Sequence, residues 1–93
     1  MSSYKIIVVT EAAQDYASQI FFQLLEFGME AEMDIDYQET LNSRHMKYKN
    51  DVIICIGAGE VASKSIVVRF PNHNEPLTIK FNDFMSTYVF QEE

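Results

Sequence analysis

"DVIICIGAGEV", residues 51–61, carries five consecutive apolar residues, Val52 to Ile56, into Gly57-Ala58-Gly59 and an acidic turn. A short, β-branched run of this kind is the pattern of a strand covered on both faces. The glycine pair after it raises the question of a phosphate cradle. A dinucleotide site needs G-x-G-x-x-G directly after the first strand, opening a long helix. Here no third glycine follows, an earlier apolar strand precedes, and Glu60 to Lys64 leaves room for one helical turn. No Walker motif is present. The stretch reads as a central strand with a structural exit turn.

Upstream, "YKIIVVT" (4–10) is a second continuous β-branched run and so a second central strand. Thr10 is placed to cap the following helix, with Glu11 against its N-terminal dipole. Ala13, Ala17, Ile20, Leu24 and Phe27 recur at three- and four-residue steps, an amphipathic helix that Gly28 closes in a left-handed conformation. "MEAEMDID" (29–36) alternates strictly. Met29, Ala31, Met33 and Ile35 take one side, and Glu30, Glu32, Asp34 and Asp36 the other. A carboxylate-lined face needs water, so this strand belongs at a sheet edge. Residues 38–48 form a short, weak helix with Leu41, His45 or Met46, and Tyr48 for burial.

Downstream, "SIVVRF" (65–70) is a third apolar strand, and Pro71 and Pro76 bracket the polar loop of a hairpin. "LTIKF" (77–81) alternates as an edge strand does. Asn82 and Asp83 then cap a closing helix whose buried side is Phe84, Met85, Tyr88 and Val89. Strands separated by helices imply a mostly parallel sheet with right-handed crossovers, and the hairpin adds an antiparallel pair. With 93 residues and no linker or repeat, residues 1–93 make one α/β domain.

Seven basic residues against fourteen acidic ones give a net charge of −7, which repels phosphate backbones on average and favours a basic partner. The single cysteine, Cys55, sits in an apolar run, so it reads as a small buried hydrophobe in a reducing compartment. No signal peptide or membrane span is legible, and the expected location is intracellular, cytoplasm or nucleus.

No catalytic constellation is spaced in the sequence. The carboxylates at 30–36 lie along one flat face and do not wrap an ion, and the two histidines lack partners at ligand spacing, so no metal or cofactor is expected. One basic cluster remains: Arg44, Lys47 and Lys49, with Tyr48 beside them. It reads either as an RNA contact or as cations at a helix C-terminus, where the dipole favours them.

The chain as a whole resembles the anticodon-binding domain of class II aminoacyl-tRNA synthetases of the threonyl, prolyl, histidyl and glycyl group. Asp15-Tyr16, Gly28 and Asp34 match the family's opening strand-helix-strand. Gly57, Glu60, Val61, Val68 and Arg69 match its later strand, Gly-x-x-Glu-Val turn and Val-Arg strand, and "IKFNDFM" its closing helix. The resemblance implies a three-layer α/β/α fold with a five-stranded mixed sheet ordered 2-1-3-4-5, strand 4 antiparallel. It also implies that the Gly-Ala-Gly turn holds no nucleotide. The family usually places Arg after the second strand and Gly-x-Lys at the start of its second helix. Here Asp36 and Asn42 stand near those places, and Arg44 alone stands in for the Lys.

These departures turn the expected function toward a non-catalytic adaptor module that contacts a basic or mixed-charge protein through Glu30, Glu32, Asp34 and Asp36. The alternative is an RNA- or tRNA-binding domain, weak in affinity, that uses Arg44, Lys47 and Lys49, as in a divergent synthetase. No membrane partner is expected.

Overall fold

The computed structural model describes residues 3–71 and 75–89. Strand β1 (Ser3–Val8) leads through a 3-10 turn (Glu11–Ala13) into helix α1 (Gln14–Glu26). Strand β2 (Glu30–Asp34), helix α2 (Leu41–Lys47) and strand β3 (Val52–Ile56) follow. Helix α3 (Ala58–Ser63), strands β4 (Ser65–Arg69) and β5 (Leu77–Lys80), and helix α4 (Phe81–Phe84), which continues as a π-helical turn to Val89, complete the chain. The five strands form one sheet in the order β2-β1-β3-β4-β5. β1 runs parallel to β2 and β3, and β4 antiparallel to β3 and β5. This is the three-layer α/β/α fold with the expected order and the expected antiparallel strand.

The main core lies on one face of the sheet. Tyr4, Ile6, Val8, Val52, Ile54, Ile56, Ile66 and Val68 pack there against Ala13, Ala17, Ile20 and Leu24 of the first helical segment and Phe84 and Met85 of the last. The opposite face buries Ile7 and Ile53, and α2 packs over it. β1 and β3 thus lose water on both sides, which explains their unbroken apolar runs. Cys55 also points to that second face and is half-buried rather than fully buried.

Three helix details depart from the periodic pattern. Phe27 is 50% exposed: it is the residue that ends α1, beyond the part that lies on the sheet. Leu41 and Met46 of α2 are exposed, and the residue buried beneath that helix is Arg44. Tyr88 is also exposed, although its ring lies tilted against those of Phe84 and Phe70 at centroid distances of 5.4 Å. Of the loop between Pro71 and Pro76, residues 72–74 lie outside the described residues, as does the side chain of Val89.

Gly57 answers the question of the glycine turn. Its N–H donates to Glu60 Oε1 at 2.7 Å, so α3 caps its own N-terminus with its own carboxylate. The amide that would face a phosphate is already bound to an anion. At the other end of the motif, the Tyr16 hydroxyl donates to the Ser65 carbonyl at 2.9 Å and ties α1 to the start of β4.

The glycines give opposite expectations for stability. Gly28 has φ +81°, where a Cβ would meet nothing within 4 Å but the backbone itself disfavours an L side chain. Gly28→Ala is expected to lower stability by about 1–2 kcal/mol. Gly59 lies inside α3 with open space around it, and Gly59→Ala is expected to raise stability by roughly 0.5–1 kcal/mol. Urea unfolding of both variants, read by circular dichroism, checks the two signs.

Candidate functional site

β2 and α2 meet at an ion pair. Arg44 is 1% exposed, and its Nε and Nη2 reach Asp34 Oδ1 at 3.1 and 3.0 Å. Nη2 also donates to the Asp34 carbonyl and to the Val8 carbonyl, the latter at 2.9 Å. Asp34 has its remaining lone pairs filled: the Asp36 N–H donates to Oδ1 at 3.0 Å and the Tyr48 hydroxyl to Oδ2 at 2.9 Å. Burial pushes the Asp34 carboxyl up, but the Asp36 N–H, the Tyr48 hydroxyl and the Arg44 guanidinium together outweigh it and hold the group below its ordinary range. Both partners are out of water and both are satisfied, the condition under which a buried pair is tolerated.

This geometry corrects two expectations. Asp34 is buried and bound, so it does not share the solvated face on which Glu30, Glu32 and Asp36 are exposed. The alternation assigns Asp34 to the correct side of β2, but α2 covers that side at the strand's C-terminal end. Arg44 lies inside rather than on the surface, where an RNA contact would need it. Lys47 is also engaged: its Nζ lies 2.7 Å from Glu39 Oε1 and 3.8 Å from Asp34 Oδ2. The Glu39 contact raises the Lys47 ammonium pKa, and Lys47 in turn lowers that of Glu39. Of the three basic residues in the cluster, Lys49 alone lines an open site.

That site is a cleft of about 700 Å³ between α2 and the adjoining ends of β3 and β4. Lys49 and Arg69 bring nitrogen donors to it, His45 lies on its wall with its Nδ1 bound to the Leu41 carbonyl at 2.8 Å, and Leu41, Met46 and Phe70 supply apolar surface. Asp51 is the carboxylate on its wall. Thr40 caps α2 by accepting the Ser43 N–H at 3.2 Å, and Arg44 anchors its middle, so the exposed face of the helix is held toward the cleft. Sequence reasoning missed Arg69 and Phe70 as site residues because they end an apolar run, twenty positions or more from the basic cluster. No signal in the sequence ties them to that cluster, because only the β3–β4 pairing brings them beside α2.

No three His, Cys, Asp or Glu side chains among the described residues are grouped to hold a metal ion. No helix among them is long and apolar enough to cross a membrane.

Comparison with known proteins bears on this geometry. Residues 4–90 match the anticodon binding domain family. No curated protein matches the chain in sequence. Among solved structures, the RNA binding domain of threonyl-tRNA synthetase from Cryptosporidium parvum Iowa II superposes with a TM-score of 0.81 at 16% identity, covering 91% of this chain and 22% of that one. Prolyl-tRNA synthetase from Cryptosporidium parvum, complexed with L-proline and AMP, gives 0.81 at 15% identity, with 91% and 20% covered. The same synthetase with halofuginone and AMPPNP gives 0.82 at 15%, with 91% and 19% covered. The chain thus spans about a fifth of the length of these synthetase chains. The region matched is the anticodon-binding region, which is the non-catalytic part of such synthetases.

The buried pair predicts unequal costs for removing carboxylates from one strand. Asp34→Ala leaves Arg44 charged and unpaired, and is expected to cost about 3–5 kcal/mol. Glu32→Gln, on an exposed carboxylate that pairs with Lys5 at 2.9 Å, is expected to change stability by less than about 0.5 kcal/mol. Denaturant unfolding of the two variants tests the contrast.

Proposed function

We infer function from one premise: this chain belongs to the anticodon-binding domain family. It serves as a non-catalytic module that contacts RNA, and the cleft between α2 and the β3–β4 ends receives unpaired nucleotides of an RNA loop. The observation that carries this reading is the joining of Lys49, His45 and Arg69 around Phe70 and Met46. Cations there meet phosphate oxygens, and the Phe70 ring, in contact with Tyr88 at 5.4 Å between centroids, adds aromatic surface for a base. The RNA reading therefore rests on Lys49, with His45 and Met46, from the Arg44–Lys49 segment and on Arg69 and Phe70 from outside it, while Arg44 acts from beneath as a positioning residue. The net charge of −7 works against any polyanion and keeps the affinity modest. Such a partner implies work inside the cell, in cytoplasm or nucleus. Contact with a protein is a separate reading, supported at the edge of β2.

Fluorescence anisotropy with a labelled tRNA anticodon stem-loop tests the RNA reading. Lys49→Glu is expected to weaken binding severalfold and to reduce the slope of log affinity against log salt by about one phosphate contact. Lys64→Glu, which alters a lysine on the opposite face of the sheet beside Tyr16 and Lys80, is expected to leave both unchanged. Equal effects of the two substitutions, or no binding at low salt, would contradict the reading.

A further inference from the structure

β2 ends the sheet, and its outer edge pairs with no other strand among the described residues. Such an edge presents a row of backbone donors and acceptors to any chain that approaches. The two sides of this edge differ in chemistry. On one, Glu30 and Glu32 are exposed, with Glu32 reached by Lys5 at 2.9 Å and no ion pair to Glu30 among the described residues. On the other, Ala31 and Met33 are half-buried beneath α1. Ser18 Oγ lies 3.9 Å from Met33 Sδ, which sets α1 directly over β2. Phe22 and Leu25 follow Ser18 by four and seven residues, so they stand on the same side of the helix. They are 62% and 43% exposed, an apolar ledge above the strand edge.

A second copy of this chain is a poor fit to that edge. It would set Glu30 and Glu32 against the same two carboxylates, and like charges opposed across a strand pair are unfavourable. The complement is a strand that alternates, with cations on the side of Glu30 and Glu32 and apolar residues under Phe22 and Leu25. We propose that the outer edge of β2, with the α1 ledge above it, docks an extended segment of a partner protein that alternates lysine or arginine with apolar residues and adds as a sixth strand. The site stands apart from the cleft, on the other side of α2, so its fate is independent of the RNA reading. Asp34 takes no part, since Arg44 and Tyr48 occupy it.

The test uses the chain with a short blocked peptide alternating lysine with valine, and hydrogen exchange of backbone amides followed by NMR. The expected result is added protection at residues 30–34. Glu30→Lys/Glu32→Lys is expected to weaken binding by about tenfold or more, as rim charges turn from attraction to repulsion. Phe22→Ser/Leu25→Ser is expected to weaken it too, with amide shift dispersion unchanged because both side chains are exposed. A peptide of the same composition with its lysines in one block is expected to bind more weakly and to protect none of these amides. Equal binding of the blocked-order peptide would overturn the proposal in favour of plain charge attraction. Absence of binding, protection at the cleft instead of β2, protection of β2 by an RNA hairpin, or self-association of the wild type through β2 would each overturn it as well.

Discussion

The Asp34–Arg44 pair is the contact on which the second face of the sheet depends. α2 is seven residues long, too short to be stable alone, and its apolar side chains Leu41 and Met46 point away from the sheet. What holds it down is a guanidinium that reaches through to the Asp34 carboxylate and to the carbonyls of β1 and β2. Arg44 bridges three elements because its planar fork can serve several acceptors at once, which an ammonium could not do in the same geometry. With α2 seated, Ile7 and Ile53 are covered and the cleft acquires its wall. Without it, the parallel centre of the sheet would face water on one side.

The same contact explains why the acidic strand is divided in use. Glu30, Glu32 and Asp34 share one side of β2 by simple alternation, yet only the last lies under α2. The first two remain in water at the sheet edge, where their charge opposes pairing with a second copy. A single strand therefore carries a structural carboxylate at one end and a solvated, selective edge at the other. The basic cluster divides in the same way. Arg44 and Lys47 turn toward the carboxylates, and Lys49 turns toward the cleft.

Much of the fold was legible. Two unbroken β-branched runs marked β1 and β3 as central, and alternation marked β2 and β5 as edges, because burial on one or both faces writes itself directly into period two. Strand order and the antiparallel β4 came from the resemblance, since no periodicity says which strand neighbours which. The site was less legible, for a physical reason. Alternation reports the side of a strand but not what covers that side, so Asp34 looked solvated. Helical periodicity assigns apolar residues to the interior, so Leu41 and Met46 looked buried and Arg44 looked exposed. A helix seated by a salt bridge inverts that rule. Arg69 and Phe70 joined the cleft only through the β3–β4 pairing, a tertiary fact.

The most direct measurement is an acid titration that follows the Asp34 side-chain carboxyl by carbon NMR together with the amide protection of α2 and β3. A folded-state pKa below the unfolded value means that the stabilisation is complete above the unfolded pKa of about 3.9 and is lost as pH falls through the folded one. Asp34 is expected to titrate with a midpoint below that of a free aspartate, with α2 amides losing protection in the same step. A midpoint at or above about 3.9, or α2 staying protected after Asp34 is protonated, would contradict it.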